Sequence, residues 1–434
     1  MTYRVRRVIL RDILDSRGGV SPEIELRLDG GHTGIASACT PRAHKRQGPA
    51  LGMIGERRAD DRLTDLVTRL EGSSFDAQDE FDAVLELLQD ASLLTANIAF
   101  ALSLAFGRAA AHANDQPLHR YISALAGTRP EMPRLLVTIF SAAGHEPYVH
   151  APYSQMMIAP DLGTVQADLE AALMIHAAIE PRMAAKVARF SRVGLQGITI
   201  DQHNCELLLE ELLGQIYRFG LASNVTLAVA SGGQTGRCDV NREYPIMSCE
   251  ERVAMYCRLV EAYNIRLVAD PFDANDTDSW RALTRALCGR AWLVREDTNS
   301  GSPAADAATG TLLTMNRVGA ITAVSKAARS ARAAGMILCL SEDIDGTEDT
   351  GLCDLAVAVG AGFVKIGRLR WGDCIPVYNQ LLRLSEDIAS DRDRAGMPDK
   401  NNDANANVAT FMPPASPSGV NPRGGFRRSA RRMR

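Results

Sequence analysis

Lysine is scarce in this chain, which makes each lysine a conspicuous candidate for base chemistry. Of 48 basic residues only five are lysines: Lys45, Lys186, Lys326, Lys365 and Lys400. A mechanism that needs several catalytic lysines is short of candidates. Carboxylates are more plentiful, and they gather in one place. Glu342, Asp343, Asp345, Glu348 and Asp349 are the kind of oxygen ligands that hold a hard divalent cation. Their spacing does not fit an EF-hand loop, which needs Gly at its sixth position and Glu at its twelfth. The cluster reads as a solvated or arginine-paired loop, with a cation site as the alternative. His112, His119 and His176 lie on helical stretches with no ligand partner in view, so core or surface roles are expected. The nine cysteines run from Cys39 to Cys374 in no C-x-x-C or Cys/His zinc spacing. They read as reduced thiols of a cytosolic compartment.

Such residues need elements to hold them. Glu23-Ile24-Glu25-Leu26-Arg27-Leu28 alternates polar and apolar, the period of a half-buried strand, and Asp29-Gly30-Gly31 follows as a turn. Asp79 to His112 is helical in pattern, rich in Leu and Ala. Pro130 and Pro133 mark a boundary. Beyond residue 134 short apolar runs alternate with amphipathic helical stretches. The runs are Val225–Ala230, Arg266–Asp270, Ala291–Arg295, Leu312–Asn316, Met336–Ser341 and Phe363–Gly367, with further candidates near Arg134–Phe140 and Ser154–Ile158. One helix is announced by Ser248 and Glu251, a capping box. Alternating strands and helices imply a parallel sheet, and this many units fit a closed eight-stranded α/β barrel. In such barrels chemistry sits at the C-terminal ends of the strands. The expected fold class is therefore α/β. An N-terminal α+β domain (1–132) precedes the barrel (133–390), and an Asn/Pro/Arg-rich tail (391–434) follows it.

Composition sets outer limits. The 434 residues carry a net charge of −4 and are 46% apolar, enough to bury a core without disulfides or metals. The near-neutral balance gives no overall field for nucleic acid or membrane. The longest apolar run, Ile98–Phe106, is too short to span a bilayer, and Met1–Leu10 lacks the apolar core of a signal peptide. The last fourteen residues hold six arginines and no acid. That tail buries too little apolar surface to offset its ordering entropy, so disorder is expected. It is either an inert solvated segment or a basic element that binds RNA or an acidic partner.

The motifs together carry a resemblance. Leu14-Asp15-Ser16-Arg17-Gly18 resembles the opening of enolases. Ala96-Asn97 with Leu102-Ser103-Leu104-Ala105 is similar to a helix of their N-terminal domain. Asp270-Pro271-Phe272-Asp273, followed by Trp280 and Leu283-Thr284, is similar to their Glu-Asp-Pro-Phe segment. Gly346-Thr347-Glu348-Asp349-Thr350 with Asp354-Leu355-Ala356 fits their late barrel, and Val364-Lys365-Ile366-Gly367 and Tyr378-Asn379-Gln380-Leu381-Leu382-Arg383 complete the match. The resemblance spans residues 3–388. It implies an enolase-type α/β barrel behind a small α+β domain, usually a homodimer, and interconversion of 2-phosphoglycerate and phosphoenolpyruvate. In that family a lysine removes the proton beside the carboxylate, a glutamate assists loss of the hydroxyl, and magnesium on three carboxylates stabilises the enolate.

Position by position, the chain departs from what the resemblance implies. The first metal aspartate is replaced by Ala230 and the metal glutamate before Asp270 by Ala269; Glu296 alone stays acidic. Asp270 and Asp297 lie next in sequence, but strand alternation turns neighbours to opposite faces, so neither is expected to substitute. The base lysine becomes Thr314, a hydroxyl that takes no carbon-bound proton without a strong base beside it. The two acid-side glutamates become Gln155 and Gln196, which hydrogen-bond but do not act as acids. A Ser-His-Arg-Ser substrate segment becomes Ser341-Glu342-Asp343-Ile344, reversing charge where phosphate would bind. The closing loop becomes Thr40-Pro41-Arg42-Ala43. His145 and Lys365 are retained, and Lys365 either binds a carboxylate or pairs with an acid such as Glu296.

The assembly positions persist. Arg11 and Glu23 on one side, Asp373 and Arg383 on the other, keep the charges of two ion pairs that cross the family's dimer interface. The expected function is thus an enolase homologue without that catalysis, a pseudoenzyme acting as a structural or scaffolding dimer. The open alternative is a residual phosphopyruvate hydratase, a glycolytic lyase, or a barrel enzyme with altered substrate. No cofactor is expected, with Mg2+ required only if activity remains. The expected partners are a second copy or an active enolase, with RNA or an acidic partner at the tail and no membrane. The expected location is cytoplasmic, with cytoskeletal association open.

Overall fold

The computed structural model describes residues 2–16, 18–38, 65–66, 68–142, 153, 155–186, 190–191, 198–200, 205–231, 248–296, 307–341, 346–367, 369–370 and 372–394. It begins with an antiparallel meander of β1 (Tyr3–Leu14), β2 (Val20–Leu28) and β3 (Thr33–Ser37), with β4 (Ser74–Phe75) on the other edge of β1. Ile24, Leu26 and Leu28 are buried, as the alternation in β2 predicts. Helices α1 (Gln78–Asp90) and α2 (Ala96–Ala113) pack against this sheet and each other, and α3 (Leu118–Ala126) packs on α2 and on the helical segments Ile321–Ala333 and Gly351–Val359.

The single helical stretch expected over Asp79–His112 is two helices. Ser92 takes a left-handed φ of 57° and Thr95 is extended at the N-cap of α2. No Gly or Pro marks this turn, so residue propensity carries no stop signal there. Tertiary packing sets the break. The α2 helix is buried along almost its whole length, lying against β2 and β3 on one side and the barrel on the other.

The remaining elements run β5 (Arg134–Ala142), β6 (Gln155–Pro160), α4 (Val165–Lys186), β7 (Phe190–Ser191), β8 (Ile198–Ile200), α5 (Cys205–Arg218), β9 (Val225–Ala230), α6 (Cys249–Tyr263) and β10 (Ile265–Ala269). They continue with α7 (Thr277–Leu287), β11 (Trp292–Glu296), β12 (Gly310–Thr314), α8 (Met315–Val318), α9 (Ile321–Ala333), β13 (Ile337–Ser341), α10 (Gly351–Val359), β14 (Phe363–Ile366) and α11 (Cys374–Arg394). Strands β5, β6 and β9 to β14 close into an eight-stranded barrel through the β14–β5 pairing. The short β7 and β8 are appended to β5. The chain is therefore an α/β protein with an N-terminal α+β region and a closed barrel.

Three details differ from the strand-helix alternation. First, β6 runs antiparallel to both β5 and β9. Residues 143–154 join β5 to β6, a link at the lower limit of what a parallel crossover needs. Second, the run Leu312–Asn316 is not a strand to its end: β12 stops at Thr314, and Met315 and Asn316 open the helical turn α8. Third, helix continues through Arg394, past the expected start of the tail at 391, and Arg120 of α3 holds Asp391 at 2.5 Å. The remainder of the tail, 395–434, lies outside the described residues. The capping box at α6 is formed, with the Glu251 N–H 3.2 Å from Ser248 Oγ and the Ser248 N–H 2.7 Å from Glu251 Oε2.

Two apolar cores result. The larger fills the N-terminal region and the space between the barrel and its helices. The smaller is the barrel interior, built by alternate strand residues: Leu136, Met157, Ala159, Ala228, Ala230, Leu267, Ala269, Val294, Leu312, Cys339 and Phe363. The N-terminal region is tied to the barrel by charge. Arg108 on α2 holds Asp349 ahead of α10 through two bonds of 2.7 and 2.8 Å. Asp349 also accepts from Ser37 N–H on β3 at 3.0 Å. Burial works against the Asp349 carboxylate, but the Arg108 charge and these bonds outweigh it and bring its pKa below the ordinary range. At this residue the acidic cluster is arginine-paired. Glu342, Asp343 and Asp345 lie outside the described residues.

Candidate functional site

Alternation along the barrel strands decides which side chains meet at the C-terminal mouth. Residues two beyond an interior position share its face. Counting from the interior cluster, the next layer is Thr138, Gln155, Ala230, Ala269, Glu296, Thr314, Ser341 and Lys365. Gln155 joins it from the start of β6 because that strand runs the other way. Register makes many of these direct neighbours. Gln155 pairs with Ala230, and Ala230 with Ala269. Thr314 pairs with Ser341, and Ser341 with Lys365. Gln155, Ala230, Ala269, Glu296, Thr314, Ser341 and Lys365, all singled out in the sequence, therefore fall in one ring.

The ring is unequal in character. Ala230 and Ala269 are 5% and 2% exposed and belong to the apolar barrel interior. Their methyls close that side against oxygen ligation. The opposite side is polar and centred on Glu296. Its Oε1 accepts from Thr314 Oγ1 at 2.6 Å, and its Oε2 from Arg317 Nη1 at 3.2 Å. Both carboxylate oxygens are thus engaged by protein donors. Arg317 projects from α8, the turn that starts where β12 ends.

Asp270 corrects the expectation drawn from strand alternation. It follows β10 with a left-handed φ of 48°, so it does not continue the pleat. Its Oδ1 accepts the N–H of Glu296 at 2.8 Å, which brings its carboxylate beside the ring rather than onto the opposite face. Burial is the chief reason its pKa is pushed up to about 6, with the Glu296 charge adding to the rise; the backbone bond, Lys365 and Arg317 act against it. The end of β9 is fixed nearby by the 2.6 Å bond between Ser231 and Tyr256.

A family-type magnesium site does not fit these residues. Magnesium needs oxygen ligands in near-octahedral array. Two of the three positions expected from the sequence to hold it carry methyl groups, and the third, a carboxylate, already has a hydroxyl and a guanidinium on its oxygens. Among the described residues no three His, Cys, Asp or Glu converge as a metal-holding group.

Gln196, His145, Glu342, Asp343 and Asp297 lie outside the described residues, as do residues 40–43. Two members of the site escaped the sequence reading. Thr138 shares a face with Leu136 by simple alternation, and its buried Oγ1 has no hydrogen-bond partner. Arg317 lies three residues after Thr314, in the α8 turn, where a cation could have been noticed.

The assembly residues are placed as follows. Arg11 and Glu23 are register partners on β1 and β2 and form an ion pair of 2.7 Å within the chain; Glu25 takes the other side of the Arg11 guanidinium. Asp373 precedes α11 and carries a buried Oδ1 without a hydrogen-bond partner. It lines a groove of about 760 Å³ together with Arg11, Asp12, Leu14, Gly346 and Glu348. Arg383 is exposed on α11 and donates to Gln380 at 3.4 Å.

One comparison with known proteins bears on this arrangement. Residues 235–402 match the family described as enolase, C-terminal TIM barrel domain. The chain thus carries an enolase-family C-terminal domain. The match takes in Ala269, Glu296, Thr314, Arg317 and Lys365, while β5, β6, β9 and the N-terminal sheet precede it. Among the described residues no helix is long and apolar enough to cross a membrane.

Proposed function

We propose that this chain is an enolase homologue over its whole folded length that does not interconvert 2-phosphoglycerate and phosphoenolpyruvate, and that it serves as a structural or scaffolding dimer in the cytoplasm. The observation that carries this reading is the ring at the barrel mouth. It presents methyls at Ala230 and Ala269, a hydroxyl at Thr314, and a Glu296 already bound by Thr314 and Arg317. Metal, base and acid each supply orders of magnitude of rate, and their joint loss leaves little beyond binding. The retained Lys365 lies in the ring, where its ammonium supports at most the grip on an anion.

The groove beside Asp373 supports the dimer. Leu14 is 58% exposed and Ile375 44%, apolar surface that a second copy would cover. The unpartnered oxygen of Asp373 suits the Arg11 of that copy, whose guanidinium has donors to spare. The basic tail is the element offered to an RNA or an acidic partner. Pure protein incubated with 2-phosphoglycerate and Mg2+ is expected to form no phosphoenolpyruvate. Turnover comparable with an ordinary enolase would overturn the reading in favour of a working hydratase.

A further inference from the structure

We propose that the Arg317 guanidinium, with Lys365 as the second cation of the mouth, is the counter-ion of Glu296 and closes that carboxylate to a divalent ion. The proposal rests on reading the mouth as a former carboxylate-held metal site. It goes further by naming the group that replaced the ion.

Three observations carry it. Glu296 is the one carboxylate among the eight described ring positions, with Asp270 beside it on the Glu296 N–H; Arg317 meets Glu296 at 3.2 Å while Thr314 donates to its other oxygen at 2.6 Å. The ring therefore needs no outside cation to satisfy its acid. Second, Arg317 is delivered by a turn with little freedom. The α8 turn begins directly after Thr314 and ends at Gly319, whose φ is 85° and where an added Cβ would lie 2.6 Å from Gln89 Oε1. The turn packs along α2, so the guanidinium reaches Glu296 from a backbone held by its neighbours. Third, the methyls of Ala230 and Ala269 line the other side of the ring, so an ion displaced from Glu296 finds no second anionic ligand there.

The chemistry follows from charge. A dication approaching Glu296 meets the guanidinium charge at close range as well as losing its own water. The metal-free state is then the ground state of the site.

Mn2+ serves as the probe, followed by its electron paramagnetic resonance and by the thermal midpoint of the protein. Wild type is expected to take up no Mn2+ at this site at millimolar concentration. Arg317→Gln is expected to bind it at least about tenfold more tightly, with a midpoint that rises on adding Mn2+. The double variant Arg317→Gln/Glu296→Gln is expected to lose both effects, and Arg317→Lys to behave like wild type. Uptake by wild type that Glu296→Gln abolishes would overturn the proposal. So would a folded Arg317→Gln protein that takes up no more Mn2+ than wild type. The proposed lack of turnover is read separately, on 2-phosphoglycerate, so its failure and the failure of this proposal are distinguishable.

Discussion

Asp270 shows how a single residue escapes a pattern and acquires a measurable property. Its left-handed backbone brings the carboxylate against the Glu296 N–H, and burial pushes its pKa up to about 6. An unfolded aspartate titrates near 3.9. Well below that value both states are protonated and the folded form keeps its full advantage. As pH rises the unfolded state releases its proton first, so this contribution to stability falls and is lost above about pH 6. Asp270→Asn keeps the Oδ1 acceptor and removes the titration. Thermal or urea unfolding should find the variant more stable than wild type by roughly 1–2 kcal/mol near pH 8, with the gap closing toward pH 4. A second substitution tests the methyl side of the ring. Ala269→Glu places a carboxylate at a position only 2% exposed. It should cost about 3 kcal/mol, because the charge enters an apolar layer without a partner. The alanines at 230 and 269 could be singled out from sequence because they stand beside recognisable motifs. The role of Arg317 could not, because an ion pair between one element and the next turn has no signature in spacing.

At the scale of elements, the contact between the N-terminal sheet and α2 is set by backbone approach. A Cβ on Gly34 would lie 1.9 Å from the carbonyl oxygen of Ala105, so β3 and α2 touch main chain to main chain. Gly34→Ala must push them apart and should destabilise by about 3 kcal/mol or more, visible as a lowered thermal midpoint. The Arg108–Asp349 pair ties the same helix to the barrel, with side chains 22% and 13% exposed. Asp349→Ala leaves the Arg108 charge without its partner and should cost about 2 kcal/mol after allowing for its contact with water. The barrel strands were readable because apolar runs recur between helices. Their ends were less so. The stop of β12 at Thr314 and the break between α1 and α2 depend on where neighbouring elements press, which local residue preference does not encode. The reversed direction of β6 likewise belongs to pairing, not to the run Gln155–Pro160 itself.

At the scale of the whole molecule, the account separates what was kept from what was altered. The closed barrel and the N-terminal sheet are in place, and the charges proposed to join two copies remain at Arg11, Glu23, Asp373 and Arg383. Sedimentation at micromolar concentration is expected to give a dimer. Asp373→Lys, which sets a cation against the Arg11 of a second copy, is expected to shift it to monomer; a wild-type monomer would remove the dimer from the account. The altered part is the mouth, and its first chemical step can be watched without waiting for product. The most direct measurement is exchange of the proton beside the carboxylate of 2-phosphoglycerate with solvent deuterium, followed by NMR in the presence of Mg2+. With Thr314 at the position proposed for the base and Glu296 held by Arg317, no exchange above the protein-free rate is predicted. Deuterium entering that position with wild-type protein, and lost with Lys365→Gln, would contradict the account.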